Sequence, residues 1–150
     1  MDFYGKIKSE YKKFLDIIKF YGVEKMKNFP NNQVVARGGI SDIPRLKEHC
    51  KRDVRYNRGH ISARSIYGNL DADILIKTVP FPHGQISCVK VGEVRELITP
   101  TELWDVIDDS KLHTSPYHAS IVCPDVELSE KQAGELSSLF ITFGNYWRSK

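Results

Sequence analysis

The stretch HISARSIYGNLDADILIKTVPFPHGQISCVKVGEVRELI, residues 60–98, concentrates the β-branched and aromatic residues that fit a pleated, half-buried surface. Its apolar runs predict strands near 61–67, 73–79, 86–91 and 94–98, with Gly92-Glu93 as a two-residue hairpin turn of the Gly-X type. Strands in such close succession read as antiparallel neighbours and not as a βαβ winding.

Upstream of this run, Phe29-Pro30-Asn31-Asn32 reads as a turn, and Gln33–Arg37 as a short strand broken by Gly38-Gly39. Ser41 or Asp42 can cap a helix running through Cys50, with Pro44 tolerated in its first turn. Further back, Ile7, Tyr11, Phe14, Leu15, Ile18 and Tyr21 recur at helical spacing up to Gly22, which predicts an amphipathic first helix. Downstream, Thr99-Pro100-Thr101-Glu102 has the form of a capping box and predicts a helix through Ile107. Tyr117–Cys123 reads as a strand, and Ser129 as the cap of a last helix that turns Leu136, Leu139 and Phe140 inward. The expectation is one α+β domain, with a mostly antiparallel sheet of five to six short strands and three to four helices. A chain of 150 residues is of ordinary size for one such core.

The net charge of +3 is unevenly spread: residues 1–60 carry 14 Lys/Arg against 7 Asp/Glu, and the remainder 8 against 12. A basic half of this kind suits an anionic partner, nucleic acid included, although basic helix faces are commonly just solvated. Cys50, Cys88 and Cys123 are odd in number and form no Cys-x-x-Cys pair, so neither a disulfide framework nor a cysteine zinc cage is expected. Residues 1–22 alternate charged with apolar side chains, unlike a secretory signal or a membrane span. The expected location is cytoplasmic, in the producing cell or in a host into which the protein is delivered, with no membrane partner.

Three segments carry the main chemical hint. Val34-Val35-Ala36-Arg37-Gly38 is an apolar strand ending in Arg-Gly; His60-Ile61-Ser62-Ala63-Arg64-Ser65 bears serines; Glu96-Leu97-Ile98-Thr99-Pro100 closes the central run. In that order they resemble the arginine, serine and glutamate elements of the ADP-ribosyltransferase family, over residues 33–107. The resemblance implies NAD as substrate. Arg37 and Gly38 would hold its diphosphate and Ser62 and Ser65 its ribose side, while Glu96 would stabilise the cation formed as nicotinamide leaves. A strand at 94–98 would place Glu96 on one face with Val94 and Ile98. Val94 stands where members that modify arginine or asparagine carry Glu or Gln, so the implied acceptor is a nucleic acid, another side chain or water. The partner is then an intracellular macromolecule or nucleotide, as for a bacterial or phage effector.

A second pattern uses histidine. His60-Ile61-Ser62 and His118-Ala119-Ser120 are two His-x-Ser triplets and resemble the paired motifs of the two-histidine phosphoesterases. That resemblance implies a phosphodiesterase or ribonuclease on RNA or a cyclic nucleotide, with His60 and His118 as acid and base and Ser62 and Ser120 on the phosphate oxygens. Asn57-Arg58-Gly59-His60 is similar to the Asp-Arg-Gly-His motif of metal-dependent nucleases, but the following stretch offers only Asn69 as a metal-binding asparagine. Asp71-Ala72-Asp73 reads as a turn cap before a carboxylate pair, and His113, His118 and Cys123 give no strong zinc pattern, so no metal is expected. A non-enzymatic inhibitor or binding protein needs none of these residues and stays open.

Overall fold

The computed structural model describes residues 27–68, 70–82, 84–97 and 104–144. The helix expected over residues 7–21 and the capping box at 99–102 lie outside these residues. The strand β2 (Val34–Gly38) has Val35 packed into one apolar cluster and Val34 and Ala36 into another, which places it in the interior of a sheet. Its neighbours are β4 (Arg58–Arg64) on one side and β5 (Gln85–Lys90) on the other. With β1 (Lys27–Asn28), β6 (Asp105–Asp108), β7 (His118–Val122) and β8 (Ile141–Gly144), the strand order is β1-β6-β7-β4-β2-β5-β8, and every pair is antiparallel. The class is α+β, with slightly more strands than expected.

A short β3 (Val54–Arg55) forms a hairpin arm on β4. The two residues that join them, Tyr56 and Asn57, have φ of 55° and 65°, the left-handed pair that a tight hairpin turn requires.

One sheet face is covered by α1 (Ile43–Arg52) and α4 (Glu130–Ser137), whose Leu46, Cys50, Ala133 and Leu136 pack on Val35, Ile61, Ala63 and Ile121. Asp42 caps α1 with Pro44 in its first turn, and Ser129 and Gln132 form a capping box on α4. The opposite face is covered over β2 and β5 by α2 (Ala72–Thr78), through Leu75 and Ile76. Over β4 and β7 that second face is polar, since His60, Ser62 and Arg64 alternate with the core-facing Ile61 and Ala63.

Three expected elements are corrected. Residues 73–79, read as a strand, are mostly helix: Asp71 accepts bonds from the N–H groups of Asp73 and Ile74, and only one stripe of the run is buried. The strand at 94–98 and the turn at Gly92-Glu93 give way to a short helix α3 (Val91–Arg95), in which Gly92 donates to the Asn31 carbonyl at 2.7 Å. Glu96 follows that helix as its C-cap, so it does not share a strand face with Val94, and Ile98 lies outside the described residues. Residues 105–107, expected at the end of a helix, form β6, where Val106 and Ile107 are buried against β7. Among the described residues, no helix is long and apolar enough to cross a membrane.

Candidate active site

β2 and β4 are register partners at one position only, Ala36 opposite Arg64, whereas β4 and β7 pair from His60 opposite Val122 to Arg64 opposite His118. Beyond Ala36 the two strands splay. A parted ladder leaves backbone groups to satisfy, and the Arg37 side chain enters the gap, donating from Nε to the Ser62 carbonyl at 3.2 Å. Its Nη1 donates to Ser41 Oγ at 2.8 Å, and that hydroxyl meets Ser87 Oγ at 2.6 Å. Gly39, at φ 84°, turns the chain away at the rim.

The splay opens a cleft of about 760 Å³. Arg37, Gly38 and Gly39 line one wall and Ser62, Ala63 and Arg64 the other, with Arg45, His49, Phe81 and His118 around them. Among the described residues, three guanidinium groups and no carboxylate line it. Burial, aided by the neighbouring Arg45, draws the Arg37 guanidinium down to about 10, which leaves it charged at neutral pH. Among the described residues it has no carboxylate partner within ion-pair distance. A buried cation bonded, among the described residues, to a hydroxyl and a carbonyl alone is poised for an anion from outside.

Ser62 on β4 and His118 on β7, which both line the cleft, are diagonal neighbours, because Ser62 opposes Ser120 and Arg64 opposes His118. Ser62 Oγ lies 3.3 Å from His118 Nε2, and His118 Nδ1 lies 2.6 Å from Asp109 Oδ1. Asp109 is fully buried. Its second oxygen accepts from Ser120 Oγ at 2.7 Å, and Arg55 reaches both that oxygen at 3.5 Å and Ser120 Oγ at 3.0 Å. Burial alone would raise the Asp109 carboxyl, but the bonds from His118 and Ser120, with the charges of His118 and His113, hold it at about 2. An ionised Asp109 fixes the proton on Nδ1 of His118, so the Nε2 lone pair faces the Ser62 hydroxyl. This is the order of a serine nucleophile, a histidine base and a carboxylate orienter.

The residues singled out from sequence fall into three groups. Arg37, Gly38, Ser62 and His118 meet in the cleft. Ser120 is buried behind it, with its hydroxyl donating to Asp109. Ser65 and His60 do not line the cleft: Ser65 Oγ donates to the Val34 carbonyl and accepts from the buried Gln33, and His60 Nδ1 is 3.0 Å from the Arg58 carbonyl. Glu96 is exposed beyond the other end of β2, for Lys90 opposes Val34 whereas Ser87 opposes Arg37.

The Asn57-Arg58-Gly59-His60 segment has structural work in each residue. Asn57 makes the hairpin turn, Arg58 Nε donates to the Cys123 carbonyl at 2.7 Å, and Gly59 packs against Cys50. Asp71 caps α2, and Asp73 pairs with Lys77. Cys123 is in the helix-covered core, away from His113 and His118. Asp109, Arg55, Arg45 and Arg64 were not singled out from sequence as site residues. The available signal for Asp109 was a carboxylate nine residues ahead of a strand histidine, and no spacing rule links the two.

The fold and site together define an α+β domain with a cationic cleft lined by Ser62 and His118, the latter backed by the buried Asp109. No family model, curated protein or solved structure matches the chain.

Proposed function

We propose that the chain is a phosphodiesterase acting on RNA or a cyclic nucleotide, with Ser62 as nucleophile, His118 as general base and Asp109 as its orienter. The observation that carries this reading is the Ser62–His118 pair, backed by the buried Asp109, in a cleft whose charged side chains among the described residues are all cationic. A phosphodiester supplies the anion that Arg37, Arg45 and Arg64 suit, and an electrophilic phosphorus for the hydroxyl. His118 Nε2 takes the Ser62 proton as Oγ bonds to phosphorus, and that proton passes to the leaving oxygen as its bond to phosphorus breaks. Water then attacks the phosphoserine, giving its proton to His118, which returns it to Ser62 Oγ. The guanidinium groups stabilise charge that builds on the non-bridging oxygens.

This is a one-histidine mechanism. His60 is buried outside the cleft, and burial, together with Arg55, lowers its pKa to about 4, so it is neutral and held to a backbone carbonyl. A dinucleotide is a second reading, favoured by the presence of Arg37, Gly38 and Ser62 in one cleft. Transfer of ADP-ribose would then lack Glu96, since no carboxylate among the described residues lines the cleft.

Incubating the purified protein separately with RNA, with cyclic nucleotides and with NAD distinguishes the two. Phosphodiester cleavage is expected, reduced by about a hundredfold or more in Ser62→Ala and in His118→Ala, with unchanged melting curves. Nicotinamide release without phosphodiester cleavage would favour the dinucleotide reading and remove this one.

A further inference from the structure

We propose that Asp109, His113 and His118 form a binding site for a zinc-like divalent cation, and that its occupation switches off the Ser62–His118 pair. The three side chains bring their donor atoms within 4.8 Å of one another. Both imidazoles turn a nitrogen to the same carboxylate, His118 Nδ1 at 2.6 Å and His113 Nε2 at 3.3 Å, and their rings stack at 3.5 Å. Two nitrogens and a carboxylate oxygen are the donor set of three-ligand zinc sites, with a fourth position left to water. His113 is partly exposed, with 32% of its side chain accessible, which gives an ion a path from solvent. Ser120 holds the second oxygen of Asp109 and so orients the carboxylate from behind, as partners of ligating groups commonly do.

The effect on the base follows from the tautomer. In the metal-free arrangement Nδ1 of His118 carries the proton and Nε2 accepts from Ser62. A cation on Nδ1 takes the place of that single ring proton, which moves through solvent to Nε2; there it donates to Ser62 Oγ, and Nε2 can no longer receive a proton. Arg55, 3.5 Å from the same carboxylate, opposes a second cation. The expected affinity is therefore micromolar, well below that of a closed structural zinc site.

The switch rests on the phosphodiesterase reading; the site itself does not. Zinc chloride is titrated by calorimetry into the parent protein and into His113→Phe, which keeps the ring stack and removes the ligand nitrogen. The parent is expected to bind a single equivalent and the variant at least about tenfold more weakly, with equal melting temperatures in chelator. Cobalt(II) should give visible absorption bands with the parent and not with the variant. Absence of saturable zinc binding by the parent, or equal binding by His113→Phe, overturns the site. In a cleavage assay zinc should abolish the parent's activity and spare His113→Phe, which lines no part of the cleft. Full activity of the zinc-saturated parent overturns the switch. If the chelated parent cleaves no phosphodiester, the functional reading falls, and calorimetry alone still decides the site.

Discussion

His60 exposes 6% of its surface, gives its Nδ1 proton to the Arg58 carbonyl, and is held neutral at a pKa of about 4 by burial and by Arg55. In the unfolded chain the same imidazole titrates near its ordinary value of about 6.5. Between those two values the unfolded state binds the extra proton, so acidification from about pH 6.5 to about pH 4 removes stability, on the order of 3 kcal/mol. Denaturant titrations across that range should show the slope in the parent. They should show little of it in His60→Asn, whose amide can still donate to Arg58. Asp109 acts at lower pH: its carboxyl, held at about 2, contributes stability above the ordinary carboxylate range that is lost as pH falls from about 4 to about 2. Asp109→Asn removes that acid-sensitive contribution and the orienter of His118 together. Its cleavage rate should fall by about a thousandfold or more, because the amide can present a donor to Nδ1 and favour the wrong tautomer. Ser62 and His118 were legible in the sequence as motif residues, but Asp109 was not, since its role depends on a contact between the loop after β6 and the start of β7.

At the scale of elements, β4 meets α1 where Gly59 lies against Cys50. A Cβ on Gly59 would stand 2.2 Å from Cys50 Sγ and 2.6 Å from its carbonyl oxygen, so backbone as well as side chain must move. The same residue donates to the Asp125 carbonyl and accepts from Cys123 N–H, each at 2.8 Å, which leaves it little freedom to shift. Gly59→Ala should destabilise by about 3 kcal/mol in chemical denaturation. Adding Cys50→Ala should restore part of the loss by removing the sulfur, but not the clash with the carbonyl. The elements with their own punctuation were legible: a cap at Ser41 or Asp42, which the structure resolves as Asp42, and one at Ser129 announced α1 and α4, and Gly38-Gly39 the end of β2. The misread ones are short apolar runs whose period is ambiguous. In 73–79, burial of Leu75, Ile76 and Val79 with Ile74 exposed is helical, and the Asp71 cap together with packing on β2 and β5 selects it over the strand that the β-branched residues favour. Val106 and Ile107 go the other way, drawn into the ladder by β7.

At the scale of the molecule, the cleft exists because β2 and β4 part after a single register position while their outer neighbours stay paired. Its cationic lining draws Arg37 and Arg45 from the basic N-terminal half of the chain and Arg64 from β4. If RNA is the occupant, its affinity should fall as salt rises, by roughly 0.7 in log K per unit of log salt for each phosphate contact. Arg45 is exposed and, among the described residues, bridged only to its helix neighbour Asp42, a pair worth little to the fold. Arg45→Gln should therefore weaken RNA binding and lower the salt slope by about one such contact, with the melting temperature unchanged; binding by fluorescence anisotropy at several salt concentrations measures both. By itself the sequence determined the α+β class, the well-capped helices, and the strands carrying Arg37, Ser62 and His118, because alternation and capping are local properties of the chain. Only the tertiary structure decided that Glu96 sits away from the cleft, that His60 is a buried structural group, and that Asp109 lies behind His118. Strand order and the splay between β2 and β4 set those distances, and both arise from contacts between segments far apart in sequence, which no local pattern encodes.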